Sequence, residues 1–219
     1  MRNQWYGDNR DLVKWSVVLN LAKERKLKRV IQIAMLCPSV WMKRAKGEPA
    51  PSPEALPFVQ KNGAEWLRLS DTVVSHFRDL SYIQQLAPAA KVPIDLVDTP
   101  FTHKSRTEYF DNVTDRLQGM AGHPALVFID PDTGIAPRTH DAKHIRADEL
   151  KRVYHAAPPG STILLYQHAR QHVGQAQWMR DTLQEFTAAL SLQPDQIERY
   201  YCPDIAHDVA FLAARKPKD

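Results

Sequence analysis

The regular alternation of short apolar runs with longer amphipathic stretches constrains this chain most. Apolar and β-branched residues fill 30–36, 125–129 and 162–166, and residues 94–97 form a shorter run. Such runs are typical of strands buried on both faces of a sheet. Helical spacing of apolar residues predicts helices at 9–26, 71–87, 105–117, 147–155 and 175–190. The alternation predicts a doubly wound, mostly parallel α/β sheet covered on both faces.

The end of the chain has a different pattern. Two apolar runs, 197–201 and 209–213, are separated by about seven residues, which is too short for a crossover helix and indicates an antiparallel hairpin. A parallel sheet that ends in such a hairpin resembles the Rossmann-like architecture of the class I methyltransferases.

Length and composition predict one domain over residues 1–219. The sequence has no apolar run long enough for a bilayer and its start does not resemble a signal peptide, so we expect a cytoplasmic protein without membrane contact. The cysteines, Cys37 and Cys202, have no close metal-ligand partners. Residues 37–63 contain five prolines and lack periodicity, which predicts a long loop.

An acidic turn follows the clearest strand. Asp130-Pro131-Asp132-Thr133-Gly134 comes directly after the apolar run 125–129. Ligands of open α/β sheets bind beyond the carboxyl ends of strands, and a turn built with proline and glycine can direct both acids to one ligand. We therefore predict Asp130 and Asp132 as catalytic residues, although an acidic turn can also hydrogen-bond only to its own backbone.

A second polar segment follows the next strand in sequence. Gln167, His168 and Arg170 supply an amide, an imidazole that titrates near neutral pH and a permanent cation. We expect this strand to neighbour the one that ends at Asp130. His168 and Arg170 are predicted to act in catalysis with Asp130 and Asp132, and Gln167 to bind substrate.

The charge pattern mildly favours a polyanionic partner. The formal net charge is +4, and two basic clusters stand out, at 23–29 and 41–46. The first lies where a helix is predicted to end, and cations there complement the helix dipole. The second lies in the predicted loop with an aromatic residue, so Trp41, Lys43 and Arg44 are candidate contacts to a nucleic acid or nucleotide.

The start of the chain carries a family resemblance, in the run Gly7-Asp8-Asn9-Arg10-Asp11-Leu12-Val13-Lys14-Trp15. It resembles the glycine-Asn-x-x-Asp-Val-Leu-Lys-His opening of the J-type adenine-N6 methyltransferases of 23S ribosomal RNA. Asp130-Pro131-Asp132 falls where that family has Asp-Pro-Pro-Tyr. The motifs are also similar to a group of little-characterised bacterial proteins with Tyr-Gly-Asp, Asp-Pro-Asp-x-Gly and Tyr-Gln-His segments.

The resemblance implies an S-adenosylmethionine site. Lys14 would lie near the cofactor's carboxylate, beside the segment Tyr6-Gly7-Asp8. Asp130 and the Pro131 carbonyl would accept hydrogen bonds from the exocyclic amine of a base.

Two features depart from the family pattern. Thr133 has no aromatic face to stack on a base, which leaves Tyr6, Trp41 or Phe101 for that role. Met35-Leu36-Cys37-Pro38 follows the first strand, where methyltransferases have a glycine-rich turn. We therefore expect weak or displaced cofactor binding.

Three functions remain open from the sequence. The first is a methyltransferase-like enzyme that uses S-adenosylmethionine on a nucleic-acid base. The second is a Mg²⁺-dependent phosphodiesterase or nuclease in which Asp130 and Asp132 bind the metal and His168 or Arg170 handles the phosphate. The third is a non-catalytic Rossmann-like module that binds nucleotide or protein.

Overall fold

A computed structural model describes residues 9–36, 57–69, 73, 91–120, 122–136, 142–170 and 172–218. The helices in these ranges are α1 (Asn9–Glu24), α2 (Arg106–Gln118), α3 (Ala147–Ala156), α4 (Gln175–Leu190) and α5 (Pro203–Ala206). The strands are β1 (Val30–Ile33), β2 (Phe58–Lys61), β3 (Ala64–Arg68), β4 (Ile94–Val97), β5 (Leu126–Ile129), β6 (Gly134–Ile135), β7 (His144–Ile145), β8 (Thr162–His168), β9 (Ile197–Cys202) and β10 (His207–Arg215).

Eight of these strands form one sheet in the order β3-β2-β9-β10-β8-β5-β1-β4. The strands β4, β1, β5 and β8 are parallel, as the sequence predicts. The last strand, β10, lies between β8 and β9 and is antiparallel to both. The α/β class and the terminal hairpin are therefore confirmed.

A second hairpin, β2 and β3, extends the sheet beyond β9. The prediction of a loop over the whole of 37–63 is wrong at Phe58–Lys61, because β2 lies there. Asn62 and Gly63 join β2 to β3 with φ of 53° and 88°, which is the left-handed pair that a tight hairpin turn requires. The predicted helix at 71–87 lies outside the described residues, except for Val73, which is helical.

Helix α1 covers one face of the sheet, and α2, α3 and α4 cover the other. Trp15 of α1 is fully buried and meets the ring of Phe128 edge-on, with 6.2 Å between ring centroids. Burying each such side chain contributes about 2–3 kcal/mol. All residues from 11 to 18 are buried, so α1 has no solvated side there. The expected amphipathic helix is thus buried all round in this part, which places Asp11 and Lys14 inside the protein.

The chain reverses its direction of travel across the sheet at β1. Among the parallel strands, β4 follows β1 in sequence and lies on one side of it, whereas β5, the next in sequence, lies on the other side. The carboxyl ends of β1 and β5 therefore form a topological switch point, where open α/β sheets bind ligands. Among the described helices, none combines the length and apolar character needed to cross a bilayer.

Candidate functional site at the switch point

Asp130 directly follows β5 at the switch point. Its backbone N–H donates to the carbonyl of Ile33 at 3.0 Å, which continues the pairing of β5 with β1. Its carboxylate accepts a hydrogen bond from Gln32 Nε2 at 2.8 Å and lies 3.1 Å from Lys14 Nζ. Asp130 is only 1% exposed beneath α1, so its carboxylate is buried.

Lys14 connects the two acids of this buried cluster. Its Nζ lies 2.6 Å from Asp11 Oδ1 and 4.9 Å from the centroid of the Tyr166 ring. Burial lowers the pKa of Lys14, but the nearby charges of Asp11 and Asp130 outweigh that effect and raise it above its usual value. Lys14 is therefore a buried ammonium ion at the switch point.

Gln32 is a member of the site that the sequence prediction missed. It is fully buried in β1, and its Nε2 must face Asp130 because a carboxylate accepts and cannot donate. Within the described residues, Gln32 Oε1 has no hydrogen-bond partner. Its position as the one polar residue in the apolar run 30–36 was the available signal. A buried acceptor without a partner is costly to a fold and is a reason to look for a ligand.

The acidic turn after β5 is held in place by Gln167. The Gln167 amide accepts from the Ile135 N–H at 2.9 Å and donates to the carbonyls of Thr133 and His168 at 3.1 and 2.9 Å. A Cβ on Gly134 would lie 2.1 Å from Gln167 Oε1, so only glycine lets the turn lie this close to the Gln167 amide. Gln167 is 2% exposed. Its contacts give it a positioning role in the turn, and substrate binding by Gln167 stays a prediction that they do not favour.

His168 belongs to a second polar cluster at the same edge of the sheet. Its Nε2 lies 3.1 Å from Asp208 Oδ2, and Asp208 accepts from Arg10 Nε and Nη2 at 3.0 and 2.6 Å. The other ring nitrogen, Nδ1, faces the Ala169 carbonyl at 3.1 Å. The hydrogen bond with Asp208 raises the pKa of His168, against burial and the charge of Arg10. Both nitrogens face acceptors, so the structure favours a positively charged imidazolium.

The predicted grouping of Asp130, Asp132 and His168 is met only in part. The strands β5 and β8 are neighbours, as predicted. Among the described residues, however, Asp130 and His168 make no direct hydrogen bond or ion pair. Asp132 is half-buried, and Arg170 forms an ion pair with Glu185 of α4. The edge therefore carries two adjacent clusters with separate partners.

Several other predicted contacts lie outside the described residues, namely Tyr6, Gly7, Asp8, Trp41, Lys43 and Arg44. Phe101 is described, and it is fully buried against Tyr109 and Phe110. The suggestion that Phe101 stacks on a base is therefore wrong, because its ring faces already pack within the core.

The turn after β1 lacks glycine but adopts a glycine-like backbone. Met35 has a φ of 41° and directs its side chain into the core, and its N–H donates to the Tyr109 hydroxyl at 3.1 Å. The next residue, Leu36, pairs with Pro100, and its carbonyl accepts from the Phe101 N–H at 2.7 Å. The segments that follow β1 and β4 are thus hydrogen-bonded to each other. This pairing narrows the space through which a cofactor would reach the backbone, a space that a glycine-rich turn leaves open.

Comparison with known proteins finds no matching family model, no matching curated protein and no matching solved structure.

Proposed function

We propose that this chain is a methyltransferase-like enzyme that uses S-adenosylmethionine to methylate an amino group of a nucleic-acid base, with adenine N6 as the first candidate. The observation that carries the proposal is the 3.1 Å contact between Lys14 and Asp130. These two residues come from motifs far apart in sequence, and the family resemblance assigns one to the cofactor and the other to the target amine. Their meeting at the switch point is what a shared site requires.

The buried cluster is chemically complementary to the amino-acid end of the cofactor. That end carries a carboxylate and an ammonium group. The Lys14 ammonium is suited to the carboxylate, and the unpartnered Gln32 Oε1 is suited to the ammonium. When bound, S-adenosylmethionine supplies a methyl group attached to a positively charged sulfur.

Asp130 serves the amine that is to be methylated. Its carboxylate would accept an N–H of the exocyclic amine and so orient the nitrogen lone pair for methyl transfer. Gln32 and Lys14 hold the carboxylate in one orientation. A buried, hydrogen-bonded acceptor of this kind favours the developing positive charge on nitrogen, because the site excludes water.

The strand order gives independent support. A last strand inserted antiparallel next to the end of a parallel sheet is the arrangement of the class I methyltransferases, and β10 has that position. Fold likeness alone assigns no activity, so this observation has less weight than the contact of Lys14 with Asp130.

The joined segments after β1 and β4 lower the expected affinity for the cofactor. With Leu36 at this edge, the adenosine end of the cofactor cannot approach the backbone as closely as it could at a glycine. The same feature favours the non-catalytic alternative. The Mg²⁺-dependent alternative is less favoured, because Asp130 already faces the Lys14 ammonium, which a metal ion would have to displace.

Isothermal titration with S-adenosylmethionine and, separately, with Mg²⁺ tests the proposal. We expect heat with the cofactor and a Kd between about 1 μM and 1 mM. Lys14→Met and Gln32→Met should each weaken binding about tenfold or more, because each removes a polar contact. Lys23→Met is the matched control on the exposed end of α1, and circular dichroism confirms that each variant is folded.

The other outcomes contradict the proposal. Binding heat with Mg²⁺ alone would support the phosphodiesterase. No binding heat with either ligand up to about 1 mM would support the non-catalytic module. Submicromolar cofactor binding that is unchanged in Lys14→Met and Gln32→Met places the cofactor elsewhere.

A further inference from the structure

A basic pocket lies at the opposite end of the sheet from Asp130. Its volume is about 630 Å³, and it is lined by residues that precede β1, β5 and β8 and by the end of β10. It therefore lies at the amino edge of the parallel strands. The cations in its lining are Arg25, Lys26, Arg215 and Lys218.

Three of these cations have no acidic partner in the part of the chain that the structure describes. Within the described residues, Lys26, Arg215 and Lys218 form no ion pair, whereas Arg25 lies 2.6 Å from Glu198. All three are exposed at the pocket. A concave surface with several uncompensated cations concentrates anions.

The two acids of the lining have partners of their own. Glu198 pairs with Arg25 and with Lys61, the second at 3.4 Å. Glu24 accepts from Lys61 Nζ at 2.7 Å and from Trp66 Nε1 at 2.8 Å. These carboxylates are thus engaged and do not neutralise Lys26, Arg215 or Lys218.

Lys26 occupies a backbone position that favours glycine. Helix α1 ends in a Schellman motif, in which the Leu27 N–H donates to Ala22 and the Lys26 N–H to Lys23. The φ of Lys26 is 55°, a conformation that costs a residue with a Cβ about 1 kcal/mol. A lysine in this position lowers the stability of the fold, and Lys26 is one of the residues that line the pocket.

Lys218 is held over Gly160 by the backbone. The Gly160 N–H donates to Pro217 at 3.0 Å, and the Lys216 N–H donates to Ser161 at 2.8 Å. A Cβ on Gly160 would lie 3.2 Å from Lys218 Cγ. Glycine therefore lets the lysine stem lie close to the chain, where Lys218 lines the pocket.

We propose that this pocket binds adjacent phosphate groups, either in a nucleic-acid backbone or in a free oligophosphate. The cations suit several phosphate charges at once. The apolar lining residues are Leu27 and Pro124, and the described part of the lining includes no aromatic ring on which a base could stack. The site therefore recognises phosphate and not the nucleobase. The inference does not depend on the methyltransferase proposal, because the two sites lie at opposite edges of the sheet.

Binding of tripolyphosphate and of a single-stranded RNA 12-mer at low salt tests the site. Titration calorimetry measures the first and fluorescence anisotropy the second. We expect the double variant R215Q/K218Q to lose about tenfold or more in affinity for at least one of these ligands. The control R116Q/K151Q removes the same charge from exposed positions on α2 and α3, and it should change affinity by less than about twofold.

Lys26→Gly separates binding from stability. We expect this variant to weaken binding while raising the melting temperature, because glycine relieves the left-handed strain. Loss with tripolyphosphate alone identifies a free oligophosphate as the ligand, and loss with RNA identifies a nucleic-acid backbone. The proposal is overturned if the wild type binds neither ligand at about 1 mM, or if R215Q/K218Q and R116Q/K151Q behave alike.

Discussion

At the scale of single residues, Asp130 supports the fold as well as the proposed chemistry. Asp130→Asn removes one of the two carboxylates that balance Lys14, so we expect the free energy of unfolding to fall by about 1–3 kcal/mol. Asp11 still faces Lys14 at 2.6 Å, which limits the loss. Chemical denaturation measures the effect.

Asp95→Asn is the control for this change. Asp95 lies 3.4 Å from Arg29 and is partly exposed, so its loss should cost less than about 1 kcal/mol. Equal losses in Asp95→Asn and Asp130→Asn would show that the buried ion pair contributes nothing special to the fold.

His168 links stability to pH. Its pKa is raised in the folded state by the hydrogen bond with Asp208, despite the opposing effects of burial and Arg10. The stabilisation is therefore complete below about pH 6.5, the value for an unfolded histidine, and is lost as pH rises through the folded-state pKa. We expect wild-type stability to fall between about pH 6 and pH 9 by more than that of His168→Gln.

The comparison needs an exposed histidine as its control. His123 is exposed, and His123→Gln should keep the pH dependence of the wild type. If His168→Gln keeps it as well, the cluster of Arg10, Asp208 and His168 does not bind a proton more tightly in the folded protein.

At the scale of elements, the turn between β5 and β6 depends on Gly134. Its φ is 114°, and an added Cβ would displace the Gln167 amide, which makes three hydrogen bonds to the turn and to His168. We expect Gly134→Ala to lower the free energy of unfolding by about 2–4 kcal/mol. Chemical denaturation again measures it.

Gly122→Ala separates backbone strain from the clash. Gly122 has a φ of 81° and open space around its Cα, so alanine there should cost about 1 kcal/mol. An equal cost at both glycines would mean that Gln167 moves aside freely and does not hold the turn.

The hairpin of β2 and β3 could have been predicted from the sequence. Asn62-Gly63 between two short apolar stretches is a strong hairpin signal, but five prolines in 37–63 dominated the prediction. Among the described residues, the longer strands and helices were predicted well because their apolar spacing is regular. Prolines indicate irregular backbone but do not show where the irregular segment ends. The predicted loop was therefore extended over the strand Phe58–Lys61.

At the scale of the whole molecule, the parallel strands and the terminal hairpin followed from sequence, whereas the partners of the site residues did not. Lys14 and Asp130 belong to separate sequence motifs, and only the three-dimensional arrangement shows that they touch. Asp208 lies in the terminal hairpin, far in sequence from Arg10 and His168. Such pairings depend on strand order, which local spacing does not encode.

Transfer of a tritium-labelled methyl group from S-adenosylmethionine to nucleic acid tests the proposed methyltransferase activity. We expect the wild type to label an adenine-containing RNA or DNA strand. Asp130→Asn, assayed at a temperature where it is folded, should be slower by about 100-fold or more, and Asp95→Asn should remain within about twofold. If the wild-type protein transfers no label to either nucleic acid at about 1 mM cofactor, this chain is not a methyltransferase of nucleic-acid bases.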